Sequence, residues 1–125
     1  MWAEAIEHVV GCWTNEEYEL AGKHWQMPRR NVHPKPLQQP HPPIWIGSGD
    51  GEELTLRVVA RHADCANFGG NPAEWKHKAE GLLQHCREVG REYDEIRKTW
   101  SPELFVRETE AETRVAGSRS LGDEP

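Results

Sequence analysis

The sequence predicts an α/β chain built on a short parallel sheet. Two successive units carry this reading, each a short apolar run that ends in glycine and leads into helical spacing, and a third strand candidate follows the second helix. Parallel neighbours need a long return path, and a helix supplies one. An open doubly wound sheet and a (β/α)8 (TIM) barrel both satisfy that order. Three strands complete neither. A barrel takes about 250 residues, so a chain of 125 residues amounts to roughly half of one.

The chain opens inside a periodic helix. Trp2, Ala5, Ile6, Val9, Val10 and Trp13 recur at the spacing of one helical face, opposite Glu4, Glu7 and His8. No N-cap residue precedes them, so Met1 reads as a truncation point or internal start. Residues 14–43 are polar and turn-rich, with Gly22 and six prolines, and read as a long surface excursion with room for short extended pieces. Tyr18, Leu20, Trp25 and Met27 are its candidate anchors to the body.

Ile44-Trp45-Ile46 is β-branched and aromatic, stops at Gly47, and reads as a buried strand. After Gly47-Ser48-Gly49-Asp50-Gly51, the residues Leu56, Val59, Ala60 and Ala63 share one face of a helix spanning about residues 52–63. Residues 64–68 are the second strand candidate, closed by Gly69-Gly70. Asn71-Pro72-Ala73-Glu74 then supplies an N-cap, a proline at the first helical position and an acid at the third. Trp75, Ala79, Leu82, Leu83 and Cys86 make the apolar stripe of that helix, which runs to Gly90.

Residues 96–107 contain Trp100, Leu104, Phe105 and Val106, interrupted by Pro102, and read as a bent or broken strand. Thr109 and Glu112 offer a capping box. Gly117, Ser118, Ser120 and Gly122 then dissolve the pattern, so no helix is expected to develop there, and the C-terminus reads as cut.

Composition excludes several classes. Fifteen basic residues against 21 acidic ones leave a net charge of -6 with no basic stripe, which argues against nucleic-acid binding. No apolar run approaches the roughly 20 residues of a membrane span, and the N-terminus lacks the order of a signal peptide, so a soluble cytoplasmic protein is expected. Cys12, Cys65 and Cys86 are an odd number without a CxxC pair, which suits reduced thiols acting as small buried hydrophobes.

The stretch from Pro34-Lys35-Pro36 through Pro42-Pro43-Ile44-Trp45-Ile46-Gly47-Ser48-Gly49, then Thr55-Leu56-Arg57-Val58-Val59-Ala60-Arg61-His62-Ala63-Asp64-Cys65-Ala66-Asn67, closely resembles the bacterial-luciferase-like flavin and deazaflavin oxidoreductases. The likeness reaches upstream through Trp13-Thr14 and Tyr18 to Trp25 and downstream through His85-Cys86-Arg87-Glu88-Val89-Gly90-Arg91. It implies a fragment, the C-terminal portion of a TIM barrel with about strands six to eight, over residues 1–112; residues 113–125, where the helical pattern dissolves, read as a disordered tail. It further implies FMN or coenzyme F-420 as cofactor, a small organic substrate, and monooxygenation or hydride transfer in an intact parent. A fragment of this extent is expected to be inactive alone.

The cofactor's phosphate end is the part such a fragment would hold. Gly47-Ser48-Gly49 is the first candidate, because glycine lets backbone N–H groups approach an anion at a helix N-terminus. Glycine turns after strands are also common for purely structural reasons, and Asp50, Glu52 and Glu53 bring opposing negative charge. Asn67, Phe68 and Gly69 end the next strand on the same side, where Asn67 either donates to the ligand or caps its own turn.

Other clusters read as structural. His62, Cys65 and Cys86 can be drawn as a soft metal site, but no pair has zinc-finger spacing. Trp45 and Trp75 read as packing groups, and Asp64 as structural. No residue is assigned a catalytic role. The rival reading is a non-catalytic truncated product or a small binding module. In that case the edge of the first parallel strand lies open and recruits a partner or a second copy.

Overall fold

The computed structural model describes residues 1–48 and 52–120. Helix α1 (Trp2–Thr14) leads into a hairpin of β1 (Glu17–Ala21) and β2 (Gln26–Asn31). Strand β3 (Trp45–Ser48), helix α2 (Glu52–His62), strand β4 (Cys65–Phe68), helix α3 (Pro72–Val89) and strand β5 (Arg97–Trp100) follow, and α4 (Glu110–Ser120) ends the described chain. The strands β3, β4 and β5 lie side by side in chain order and run parallel. The α/β alternation and the parallel sheet are therefore as expected.

The register is unbroken across all three strands. Trp45, Cys65 and Arg97 form one row, Gly47, Asn67 and Thr99 another, and Ser48, Phe68 and Trp100 the last. Side chains alternate between the two faces of a strand. Ile46, Ala66 and Phe68 consequently share the face that meets α2 and α3, and they join Leu56, Val59, Ala60, Leu82 and Cys86 in the core. Phe68, Leu82 and Ile96 are fully buried, each contributing roughly 1.5–3 kcal/mol of apolar transfer. The stripe anticipated on α2, Leu56, Val59, Ala60 and Ala63, is buried throughout.

Helix α3 starts where its sequence dictates. The Asn71 side chain accepts from the Ala73 and Glu74 N–H groups at 2.9 and 3.0 Å, and Glu74 accepts in return from the Asn71 N–H at 2.8 Å. The helix ends at Gly90 with φ 70°, the left-handed residue that satisfies the last carbonyls. Asp64 is structural, as read: its carboxylate accepts from the Ile44 N–H at 2.7 Å and ties the start of β3 to that of β4.

The excursion between α1 and β3 contains more order than the sequence suggests. The β1–β2 hairpin is antiparallel, and the Glu4 carboxylate accepts from the His24 and Trp25 N–H groups at its tip, both at 3.0 Å. Those donors hold the Glu4 carboxyl below its usual range. Tyr18 lies against Gly11 so closely that a β-carbon there would collide with its ring. Trp25 is anchored through its backbone, its side chain being exposed, whereas Tyr18, Leu20 and Met27 are half-buried. Lys35 donates to the Cys12 and Asn15 carbonyls at 2.8 and 2.6 Å and so supplies the cation that the last turn of α1 lacks.

Two expectations are corrected. The third strand is confined to Arg97–Trp100, because Pro102 ends the pairing and no regular element follows until Glu110. A helix does develop after Thr109: its hydroxyl accepts from the Glu112 N–H at 3.3 Å, Glu112 accepts from the Thr109 N–H at 3.2 Å, and Arg114 pairs with Glu110 one turn on at 2.6 Å. Gly117 does not interrupt it.

Candidate functional site

The C-terminal ends of β3, β4 and β5 bring together most of the residues singled out in the sequence. Gly47 stands beside Asn67, and Ser48 beside Phe68. Gly49 lies outside the described residues, as do Asp50 and Gly51. Gly47 is exposed, and a β-carbon built on it would meet nothing within 4 Å. Nothing within the described chain therefore demands glycine there, and the space beside it is open.

Asn67 is on the face opposite the helices, and it does not cap its own turn. Its amide reaches across to β5, where the Thr99 hydroxyl donates to Oδ1 at 2.9 Å and Nδ2 donates to the Ser101 hydroxyl at 3.1 Å. The Thr99 carbonyl in turn accepts from the Trp75 indole at 3.3 Å. Phe68 plays a different part. Its ring is fully buried edge-to-face against Trp75, with centroids 6.2 Å apart, and its carbonyl accepts from the Ser101 N–H at 3.0 Å.

Gly69 and Gly70 differ in what they require. A β-carbon on Gly69 would make ordinary contact with the Ser101 carbonyl at 3.8 Å. Gly70 sits at φ 88° with the Glu74 carboxylate packed where a β-carbon would go, so the glycine the turn needs is Gly70. Beside this turn the strand ends border a mainly apolar cleft of ≈ 450 Å³ lined by Gly70, Asn71, Pro72, Trp100, Pro102, Glu103 and Phe105. The Trp100 indole donates to the Gly70 carbonyl at 2.9 Å and closes one wall.

The other end of the sheet is open. Ile44 bonds toward β4 through both its N–H and its carbonyl, so by the alternation of a parallel ladder Trp45 and Gly47 turn their backbone groups to the free edge. Trp45 was expected to pack, yet its side chain is 59% exposed on the face that no helix covers. Beside that edge runs a groove lined by Trp2, Ala5, Ile6, Val9, Ile44 and Trp45.

This chain matches the luciferase-like monooxygenase family over residues 1–119. The chain belongs to that family. Over 122 residues it is 27% identical to the oxygenase component of the flavin-dependent trigonelline monooxygenase of Acinetobacter baylyi, an alignment that covers 92% of this chain and 32% of that protein. Over 71 residues it is 30% identical to the FMNH2-dependent dimethylsulfone monooxygenase of Pseudomonas putida, covering 57% of this chain and 19% of that one. The crystal structure of the monooxygenase RslO1 of Streptomyces bottropensis superposes with a TM-score of 0.65 at 20% identity, over 95% of this chain and 37% of that chain. The luciferase-like chain thus spans between about a fifth and just over a third of the length of these relatives.

Thr99 and Ser101 are the residues that sequence reasoning missed in the luciferase-like chain. A hydroxyl on either side of Trp100 is visible in the sequence, but nothing local shows that these hydroxyls meet Asn67 across the strands. Elsewhere, among the described residues, no group of three or more His, Cys, Asp or Glu side chains is placed to hold a metal ion. Cys65 and Cys86 are buried, Cys12 is half-buried, all three are free thiols, and burial pushes the Cys86 thiol up. His62 packs between α2 and α1 with Nε2 3.6 Å from the Glu7 carboxylate, and burial lowers its pKa more than that carboxylate raises it. No helix among the described residues is long and apolar enough to cross a membrane.

Proposed function

We propose that this chain is the C-terminal part of a flavin-dependent luciferase-like monooxygenase barrel, contributing the phosphate end of the cofactor site. In this reading β3, β4 and β5 take the places of the sixth, seventh and eighth barrel strands. The observation that carries it is the register that sets Gly47 directly beside Asn67 at the C-terminal edge of a parallel sheet. Ligands of parallel α/β sheets bind at that edge. The open space at Gly47 and the amide of Asn67 fit a phosphate, which offers only acceptor oxygens.

Reduced flavin, when bound, supplies the electrons for monooxygenation, and the protein positions and shields it. The names of the two curated relatives favour flavin over the deazaflavin F-420. Gly47 and Ser48 would approach the phosphate through their backbone, with Asn67 donating from the neighbouring strand and the backbone of Phe68 and Gly69 flanking it. No residue here is assigned to the reacting end of the cofactor, so the chain alone is expected to show no turnover. The test is oxygen consumption by the purified chain supplied with reduced FMN. A rate equal to buffer fits the proposal, and substrate-dependent oxygenation by the chain alone overturns it.

The second reading is a product without catalysis that persists by docking through the free β3 edge. The groove beside α1 and the outward backbone groups of Trp45 and Gly47 favour it.

A further inference from the structure

We infer that Thr99 is a positioning residue that decides which half of the Asn67 amide the strand end presents to a ligand. The inference rests on the phosphate-site reading above and adds to it the device that sets the site's polarity.

A side-chain amide is a donor at one end and an acceptor at the other, and a half-turn exchanges them. At a site for phosphate oxygens, the two orientations have opposite effects, since a carbonyl facing an anion repels it. The Thr99 hydroxyl has one proton and two acceptors within reach, the Asn67 Oδ1 at 2.9 Å and the Ala66 carbonyl at 3.3 Å. The shorter contact takes the proton and pins Oδ1 toward β5. The amine end then faces Ser101, which uses one of its two hydrogens. The other hydrogen has no partner among the described residues, and the row that Asn67 occupies continues to Gly47, where no side chain fills the space.

Thr99 is itself held in place. It pairs with Asn67 in the β4–β5 register, and its carbonyl accepts from the Trp75 indole, which packs against the buried ring of Phe68. The amide orientation is thereby tied to the core rather than left to the ligand.

The experiment follows the side-chain amide hydrogens of Asn67 by nitrogen-15 NMR in the full chain while FMN is added. The wild type is compared with Thr99→Val, which removes the hydroxyl at constant shape, and Thr99→Ser, which keeps it. The expected result is a response of both the Asn67 amide and the Gly47 N–H in the wild type. Thr99→Val should weaken the apparent affinity roughly tenfold, and Thr99→Ser should restore it. If Thr99→Val binds FMN as the wild type does, the positioning role is overturned while the phosphate site stands. If FMN moves neither Gly47 nor Asn67 in the wild type, the phosphate site itself fails and this inference with it. Should Thr99→Val not fold, Asn67→Asp decides, because a carboxylate of the same shape offers acceptors only: it should abolish the response, and retained binding overturns the inference.

Discussion

Gly47 on β3 is the register partner of Asn67 on β4, and no atom of the described chain lies within 4 Å of where a β-carbon on that glycine would stand. The two roles a strand-end glycine can have, steric necessity and ligand access, are separated by this geometry. Gly47→Ala is expected to leave the melting temperature within about a degree or two, since the methyl meets nothing, and to reduce FMN binding by about tenfold. Thermal melts and an FMN titration of the same variant check both halves. A destabilised variant would show that Gly47 is needed for the fold.

Gly70 should behave in the opposite way. Its φ of 88° and the Glu74 carboxylate packed against it leave no place for a side chain. Gly70→Ala is expected to cost about 1–3 kcal/mol in urea denaturation, and Gly69→Ala less than about 1 kcal/mol. Equal losses at the two positions would contradict the assignment of the turn.

His62 gives the fold a pH dependence of defined sign. Its pKa lies below the ordinary 6.5, chiefly through burial, with Arg61 and Arg91 pressing the same way and Glu7 opposing. The unfolded chain therefore takes up the proton first as pH falls, so this stability is complete above pH 6.5 and is lost as pH drops through the lower folded value. Melting temperature measured from neutral to mildly acidic pH should decline in the wild type and decline less in His62→Gln. A flat wild-type profile would exclude the effect.

The free edge of β3 predicts association. Trp2, Val9 and Trp45 are 45%, 42% and 59% exposed around it, and among the described residues no strand covers it. Sedimentation of the purified chain should show oligomers, and Val9→Glu, which places a charge in the groove, should shift them toward monomer. A monomeric wild type would count against docking through this edge.

What the sequence made legible was the local chemistry. The α3 capping box, the α2 stripe and the Gly90 terminus all follow from spacing within one element, and each is realised. The β1–β2 hairpin stayed hidden because β2 contains Pro28 and exposes most of its residues, which a two-stranded ribbon tolerates and a central strand does not. At Thr109 the capping box outweighed the later glycine, since a helix is initiated at its first turn. Thr99 was beyond reach for a different reason. Its contact with Asn67 spans 32 residues and depends on inter-strand register, which no local pattern encodes.

The central claim is that the strand ends hold the phosphate of a flavin, and comparison of FMN with riboflavin tests it most directly. The two ligands share the ring and the chain and differ only by the phosphate. The account predicts that FMN and inorganic phosphate shift the amide resonances of Gly47, Asn67 and Gly69 while riboflavin leaves them in place. Equal shifts with riboflavin, or none with FMN, would contradict it.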